Sequence, residues 1–179
     1  EAYKNDPIAF VIKNLIESLD HFYFLDRIKN YQDFVGLNYY FHNRIKGFKF
    51  NQNENKKVSD LGWEICPEGI YYVLKNLKKY KKPIYITENG LADTQDKLRG
   101  DFIRDHLLWI HKAIGYGIDV KGYLHWSLMD NFEWAEGYGP RFGLVEINYK
   151  TLERKIRPSA FYYAEICKEN ALAAINEDL

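Results

Sequence analysis

The chain is poor in cysteine, in long apolar runs and in charge of one sign. Its two cysteines, Cys66 and Cys167, lie far apart and lack metal-ligand spacing. That excludes a disulfide scaffold and a cysteine-based metal module, and predicts two reduced thiols. No apolar run reaches the ~20 residues that a membrane-spanning helix needs, and there is no signal-peptide pattern. A cytoplasmic, membrane-free protein is the resulting expectation. Lysine plus arginine (25) equals aspartate plus glutamate (25), for a formal net charge of zero. Electrostatics therefore offer no case for nucleic acid or an anionic membrane as partner. The cluster Lys78, Lys79, Lys81 and Lys82 reads as a solvated helix end, favourable at the negative pole of the helix dipole. Internal repeats and interdomain linkers are also missing. What remains is an ordinary globular composition, 179 residues with 46% hydrophobic and 17% aromatic, enough for one domain with a real core.

Three short apolar runs bounded by turn residues read as parallel-type strands: Phe34–Tyr40, Ile84–Thr87 and Gly122–Ser127. Helical patterns alternate with them. Asp6-Pro7 is a cap signal for a helix with the stripe Ile8, Ile12, Leu15, Ile16 and Leu19. Pro67-Glu68 opens a second helix carrying Ile70, Val73, Leu74 and Leu77 on one face. A third carries Ile103, His106, Leu107, Ile110 and Ile114 and ends at Gly115 or Gly117. A fourth starts near Pro158-Ser159 and runs through Tyr163, Ala164 and Cys167. Strand followed by helix, repeated, predicts an α/β fold with a parallel sheet. Two long connections, Phe41–Cys66 and Leu128–Arg157, sit where such folds build binding sites.

The chemistry concentrates in two segments. Tyr85-Ile86-Thr87-Glu88-Asn89-Gly90 places one carboxylate at the C-terminal lip of a buried strand, just before an Asn-Gly turn. Trp126-Ser127-Leu128-Met129-Asp130-Asn131-Phe132-Glu133-Trp134 packs aromatic faces and carboxylates into nine positions. That mixture suits a sugar, which offers C–H faces for stacking and hydroxyls for hydrogen bonds. Strand parity predicts that Ile84, Ile86 and Glu88 project together, as do Asn38 and Tyr40. If Glu88 points into the mouth, Asn38 and Tyr40 can join it from the neighbouring strand. A Tyr40 hydroxyl would then orient the carboxylate and favour its ionised form. Parity turns His125 toward the helix layer. Asp130 and Arg141 could form a loop-ordering ion pair. His106 and His111, five apart on a helix, are poorly spaced for one metal. No metal or cofactor site is predicted.

These segments resemble glycoside hydrolase family 1, the retaining β-glucosidase and β-galactosidase family. Thr87-Glu88-Asn89-Gly90 matches its nucleophile motif. Trp126 to Trp134, then Gly137-Tyr138 and Arg141-Phe142-Gly143, match its sugar-binding motif. Asp33 to Tyr40 resembles its sixth barrel strand, and Gly62-Trp63-Glu64 with Pro67-Glu68-Gly69 its lead into the next helix. The resemblance implies a (β/α)8 TIM barrel and hydrolysis of β-glucosides or β-galactosides with retention. By the same resemblance Glu88 is the nucleophile, oriented by Tyr40. The implied substrate contacts are Asn38, Trp126 as platform, Glu133 at O4 and O6, Trp134 at O3 and Phe142 as pocket wall. A carboxylate at Glu133 disfavours 6-phosphorylated sugars.

The family's acid/base motif, Thr-x-Asn-Glu-Pro, has no match in these 179 residues. A full barrel takes ~250 residues. Residues 1–179 are therefore expected to be the C-terminal part of one catalytic domain, its last three βα units with the preceding helix. Unpaired strand edges and bare apolar faces predict a need for the N-terminal barrel half, a complementary chain or self-association. On that reading the chain alone is inactive. The alternatives are a non-catalytic carbohydrate-binding or interaction fragment and, more narrowly, a thioglucosidase.

Overall fold

The computed structural model describes residues 1–172. Three βα units follow one another, each strand parallel to the last. β1 (Val35–Asn38) precedes α3 (Pro67–Leu77), β2 (Ile84–Asn89) precedes α4 (Arg99–Gly115), and β3 (Val120–His125) leads to α5 (Pro158–Glu169). The sheet order is β1-β2-β3, and the fold is part of a (β/α)8 barrel. At the N-terminus, α1 (Pro7–Ile16) and α2 (Tyr23–Ile28) are joined by π-helical turns over Glu17–Phe22. Asp6 caps α1 by accepting from the Ala9 amide at 2.9 Å.

The core lies between sheet and helices. Val35, Ile84 and Ile86 pack on Ile70, Leu74 and Leu77 of α3 and on Ile110 and Ala113 of α4. These are the apolar faces that the 3.6-residue period predicts. The α4 face is shifted, with Arg99, Phe102 and Ala113 buried and Ile114 exposed. The N-terminal apolar stripe is largely uncovered: Leu15 on α1 and Leu19 in the π-helical turns are each 57% exposed. So is the inner face of the sheet, where Phe34 and Tyr85 meet edge to face at 5.3 Å and Leu124 is 53% exposed.

Two expectations need correction. Ile84 and Ile86 do not share a face with Glu88. Leu37 pairs with Ile86 while Asn38 pairs with Glu88, so Thr87 is an extra residue on β2. This β-bulge breaks the two-residue alternation. The isoleucines stay in the helix-side core, and Glu88 meets Tyr40. The connection Leu128–Arg157 is also not a plain loop. It contains an antiparallel hairpin, β4 (Val145–Ile147) with β5 (Arg154–Ile156).

The long loop after β1 is tied down by polar side chains. Asn53 donates to the His42 carbonyl at 2.7 Å and accepts from the Arg44 amide at 2.7 Å. His42 Nε2 lies 2.7 Å from Glu64 Oε2. Hydrogen bonding to Cys66 and Glu64 lifts the imidazole pKa from 6.5 to about 9, against the opposing effect of burial. A raised pKa means that charged His42 stabilises the fold most below pH 6.5, and that this contribution fades as pH rises through about 9. Thermal melts should therefore show a decline in Tm across that interval that His42→Gln removes. An unchanged pH slope in the variant would contradict this assignment.

Candidate active site

The Tyr40 hydroxyl donates to Glu88 Oε2 at 2.7 Å. Backbone bonds lock both residues in place. The Tyr39 amide donates to the Glu88 carbonyl at 2.9 Å, and the buried Asn89 side chain donates to the Tyr39 carbonyl at 2.6 Å. Asn89 Oδ1 in turn accepts from the Tyr123 hydroxyl at 2.8 Å. Asn89 thus pins all three strands together immediately beside Glu88, a role that its place in an Asn-Gly turn does not disclose. Burial, and then the Glu88 carboxylate, push the Tyr40 phenol well above its ordinary pKa, and the Glu133 charge adds to the effect. Tyr40 is therefore a hydrogen-bond donor at any physiological pH. Asn38 holds the same inner face, its side-chain Oδ1 accepting from the Thr87 hydroxyl at 2.7 Å.

An aromatic wall adjoins this pair. Phe142 is buried and meets Tyr40 nearly edge-on at 6.1 Å. Trp63 contacts both Tyr40 and Phe142 and stacks on Phe41 at 4.8 Å. A cavity of about 330 Å³ opens on the far side, between Phe41, Trp63 and the amides of Asn43, Asn51 and Asn55. Trp126 stands at the end of β3, its amide donating to the Asn89 carbonyl at 3.0 Å. Its peptide bond to Ser127 is cis. Glu133 is half-buried, and Trp134 is 80% exposed with a left-handed φ of 44°. That φ is uncommon for a bulky residue, and such backbone outliers concentrate at functional sites.

Glu88, Tyr40, Asn38 and Phe142 are thus brought together, with Trp126 tied to the neighbouring residue and Glu133 within electrostatic reach of Tyr40. Trp134 stands apart from them in the open. His125 faces the helix layer as parity predicts, its ring 6.0 Å from that of Tyr163 on α5. Asp130 does pair with Arg141, at 3.3 Å, but its stronger partner is Arg157, at 2.9 and 3.1 Å. Nothing in the spacing of Asp130 and Arg157 signals that contact. Among the described residues no group of three or more His, Cys, Asp or Glu side chains could hold a metal ion. Among the described residues no helix is long and apolar enough to cross a membrane. Cys66 and Cys167 are both free thiols.

A carboxylate at the C-terminal end of a parallel strand, beneath long aromatic loops, is the layout of the working face of a (β/α) barrel. Comparison with known proteins narrows this class. The profile of glycosyl hydrolase family 1 matches residues 22–172. A 1,4-beta-D-glucan glucohydrolase of Thermotoga neapolitana is 42% identical over 83% of this chain and 37% of that protein. Beta-glucosidase A of Thermotoga maritima is 40% identical over 95% of this chain and 42% of that protein. The beta-glycosidase of Pyrococcus horikoshii superposes with a TM-score of 0.82 at 39% identity, over 93% of this chain and 44% of that one. The Thermotoga maritima beta-glucosidase in complex with glucoimidazole superposes with a TM-score of 0.84 at 31% identity, over 96% of this chain and 49% of that one. The chain belongs to glycosyl hydrolase family 1. It spans less than half the length of these relatives.

Proposed function

We propose that this chain supplies the nucleophile and much of the sugar site of a retaining β-glycosidase acting on unphosphorylated β-glucosides or β-galactosides. The observation that carries the reading is the Tyr40–Glu88 hydrogen bond of 2.7 Å at the mouth of the sheet, in a member of this family. A Glu88 carboxylate oxygen attacks the anomeric carbon, and the bond from that carbon to the leaving-group oxygen breaks. A second carboxyl group protonates the departing oxygen. It then takes a proton from water, which attacks the anomeric carbon and releases Glu88. Retaining enzymes hold the two groups ~5–5.5 Å apart. The acid/base lies outside these 179 residues, on complementary βα units that also cover the open inner face of the sheet. Asn38, Trp126, Glu133, Trp134 and Phe142 hold the sugar ring, with the Glu133 carboxylate favouring a 6-hydroxyl over a 6-phosphate.

A 2-deoxy-2-fluoro-β-glucoside with a good leaving group tests this. In the assembled barrel it should become covalently attached at Glu88, as peptide mapping would show. Glu88→Gln should abolish labelling. Tyr40→Phe should slow glycosylation about 10–100-fold, the worth of a hydrogen bond to a charged group. A label elsewhere, with Glu88→Gln fully active, would sink the proposal.

The lack of a Thr-x-Asn-Glu-Pro segment favours a second reading for the chain alone, a carbohydrate-binding fragment without catalysis. Calorimetry against glucose, galactose and cellobiose, beside an aryl-glycoside assay, separates the two.

A further inference from the structure

The loop that carries Trp126 and Glu133 has little apolar packing of its own. Leu128 is 67% exposed and Phe132 52%. Something other than hydrophobic burial must hold it. The Asp130 side chain has no exposed surface and is ringed by N–H donors. Oδ1 accepts from the Gly143 amide at 2.9 Å and from Arg157 Nη1 at 2.9 Å. Oδ2 accepts from Arg157 Nη2 at 3.1 Å, Arg141 Nη1 at 3.3 Å and the Ile147 amide at 3.3 Å. Burial alone would raise the carboxyl pKa, but Arg157 and the Gly143 amide reverse this and hold it below the ordinary aspartate value. The cluster continues toward Glu88. The Arg141 carbonyl accepts from Arg99 Nη2 at 2.8 Å and from the Asp93 amide at 3.0 Å. Arg99 is buried, ion-paired with Asp96, and donates to the Asp93 carbonyl at 2.7 Å. Asp96 in turn accepts from the Ser159 amide and hydroxyl at the start of α5.

Loops that follow two different strands are thus fastened to each other through buried charge. One leaves β2 just after Glu88. The other leaves β3 and carries the proposed sugar contacts. We propose that Asp130 is a positioning residue that sets the Trp126–Trp134 loop and Phe142 at a fixed distance from Glu88, with Arg141 passing the constraint to the loop after β2. The inference rests on the glycosidase reading for its purpose, but the constraint itself can be measured without turnover. A misplacement of about 1 Å in such a loop can cost an enzyme 10²-fold.

The test uses the assembled barrel with this chain alone labelled with 5-fluorotryptophan; its four tryptophans are Trp63, Trp109, Trp126 and Trp134. Asp130→Asn keeps the shape but turns one acceptor into a donor facing donors. The fluorine signals of Trp126 and Trp134 should shift or broaden, while Trp109, packed against Tyr71 on α3, keeps its position. An effect confined to folding would reduce Tm and leave the native-state signals of Trp126 and Trp134 in place, which overturns the proposal. If Asp130→Asn does not fold, Arg141→Lys serves instead. It keeps the charge but loses the planar guanidinium whose Nη1 donates both to Asp130 and, at 3.0 Å, to the Ile147 carbonyl. The same two signals should move, and their constancy again overturns the proposal. Failure of covalent labelling at Glu88 would sink the reaction while leaving these signals untouched, so the two ideas fail separately.

Discussion

Given an aryl β-glucoside, the 179-residue chain alone should hydrolyse it at the background rate. Co-expression with the N-terminal βα units of a family 1 relative should turn hydrolysis on. General acid–base catalysis is worth about 10²–10⁴-fold, and completing the sugar pocket adds to this. The physical demand for such a partner is visible on the surface. Parallel sheets are normally paired and covered on both faces, yet β1 and β3 are both edges here. Leu124 and Tyr85 are exposed on the inner face, and Val11 and Leu15 are exposed on α1. Such surfaces recruit either their complement or one another. Sedimentation of the chain alone should show association, and addition of the complementary half should replace those species with a single 1:1 complex. Robust turnover by the lone chain would contradict the proposal that its acid/base lies elsewhere.

Gly90→Ala should cost about 3 kcal/mol, the upper part of the range for overpacked sites. For a chain of this size that lowers Tm by about 6–12 °C. A β-carbon at Gly90 would lie far inside van der Waals contact distance of the Trp126 carbonyl oxygen and 3.2 Å from the Trp126 β-carbon. Neither can retreat, because the Trp126 amide is already bonded to the Asn89 carbonyl. Gly100→Ala is the control with the opposite sign. Gly100 lies in the first turn of α4 with nothing within 4 Å of an added β-carbon. There alanine should stabilise by about 0.4–1 kcal/mol by restricting the unfolded chain. Calorimetric melts of the two variants check both signs. Equal Tm values for Gly90→Ala and the parent would show that the strand ends can separate freely.

Much of this architecture was legible in the sequence, because it rests on periodicity and punctuation. The three strands appear within two residues of their expected bounds, and the pairing of Tyr40 with Glu88 follows from adjacent strands meeting at their C-terminal ends. The unread parts have a common cause. The bulge at Thr87 leaves no mark in a run of β-branched residues, since an inserted residue looks like any other. The β4–β5 hairpin is only three residues per strand, too short for alternation to stand out. Arg157 reaches Asp130 across 27 positions, and no local pattern encodes a contact of that range. The shifted face of α4 arises because Arg99 is buried by charge and hydrogen bonds, which hydrophobic periodicity does not register.

The extra residue in β2 has a consequence for how this molecule can change. Were the strand regular, the residue at position 88 would share a face with Ile84 and Ile86, and every change there would disturb the hydrophobic interior. The slip at Thr87 releases position 88 from that duty and leaves Asn89 as the bolt. Position 88 thus behaves as an exchangeable fitting on an indifferent mount. A change there spares the isoleucine core and is felt first by Tyr40, whose hydroxyl loses its acceptor.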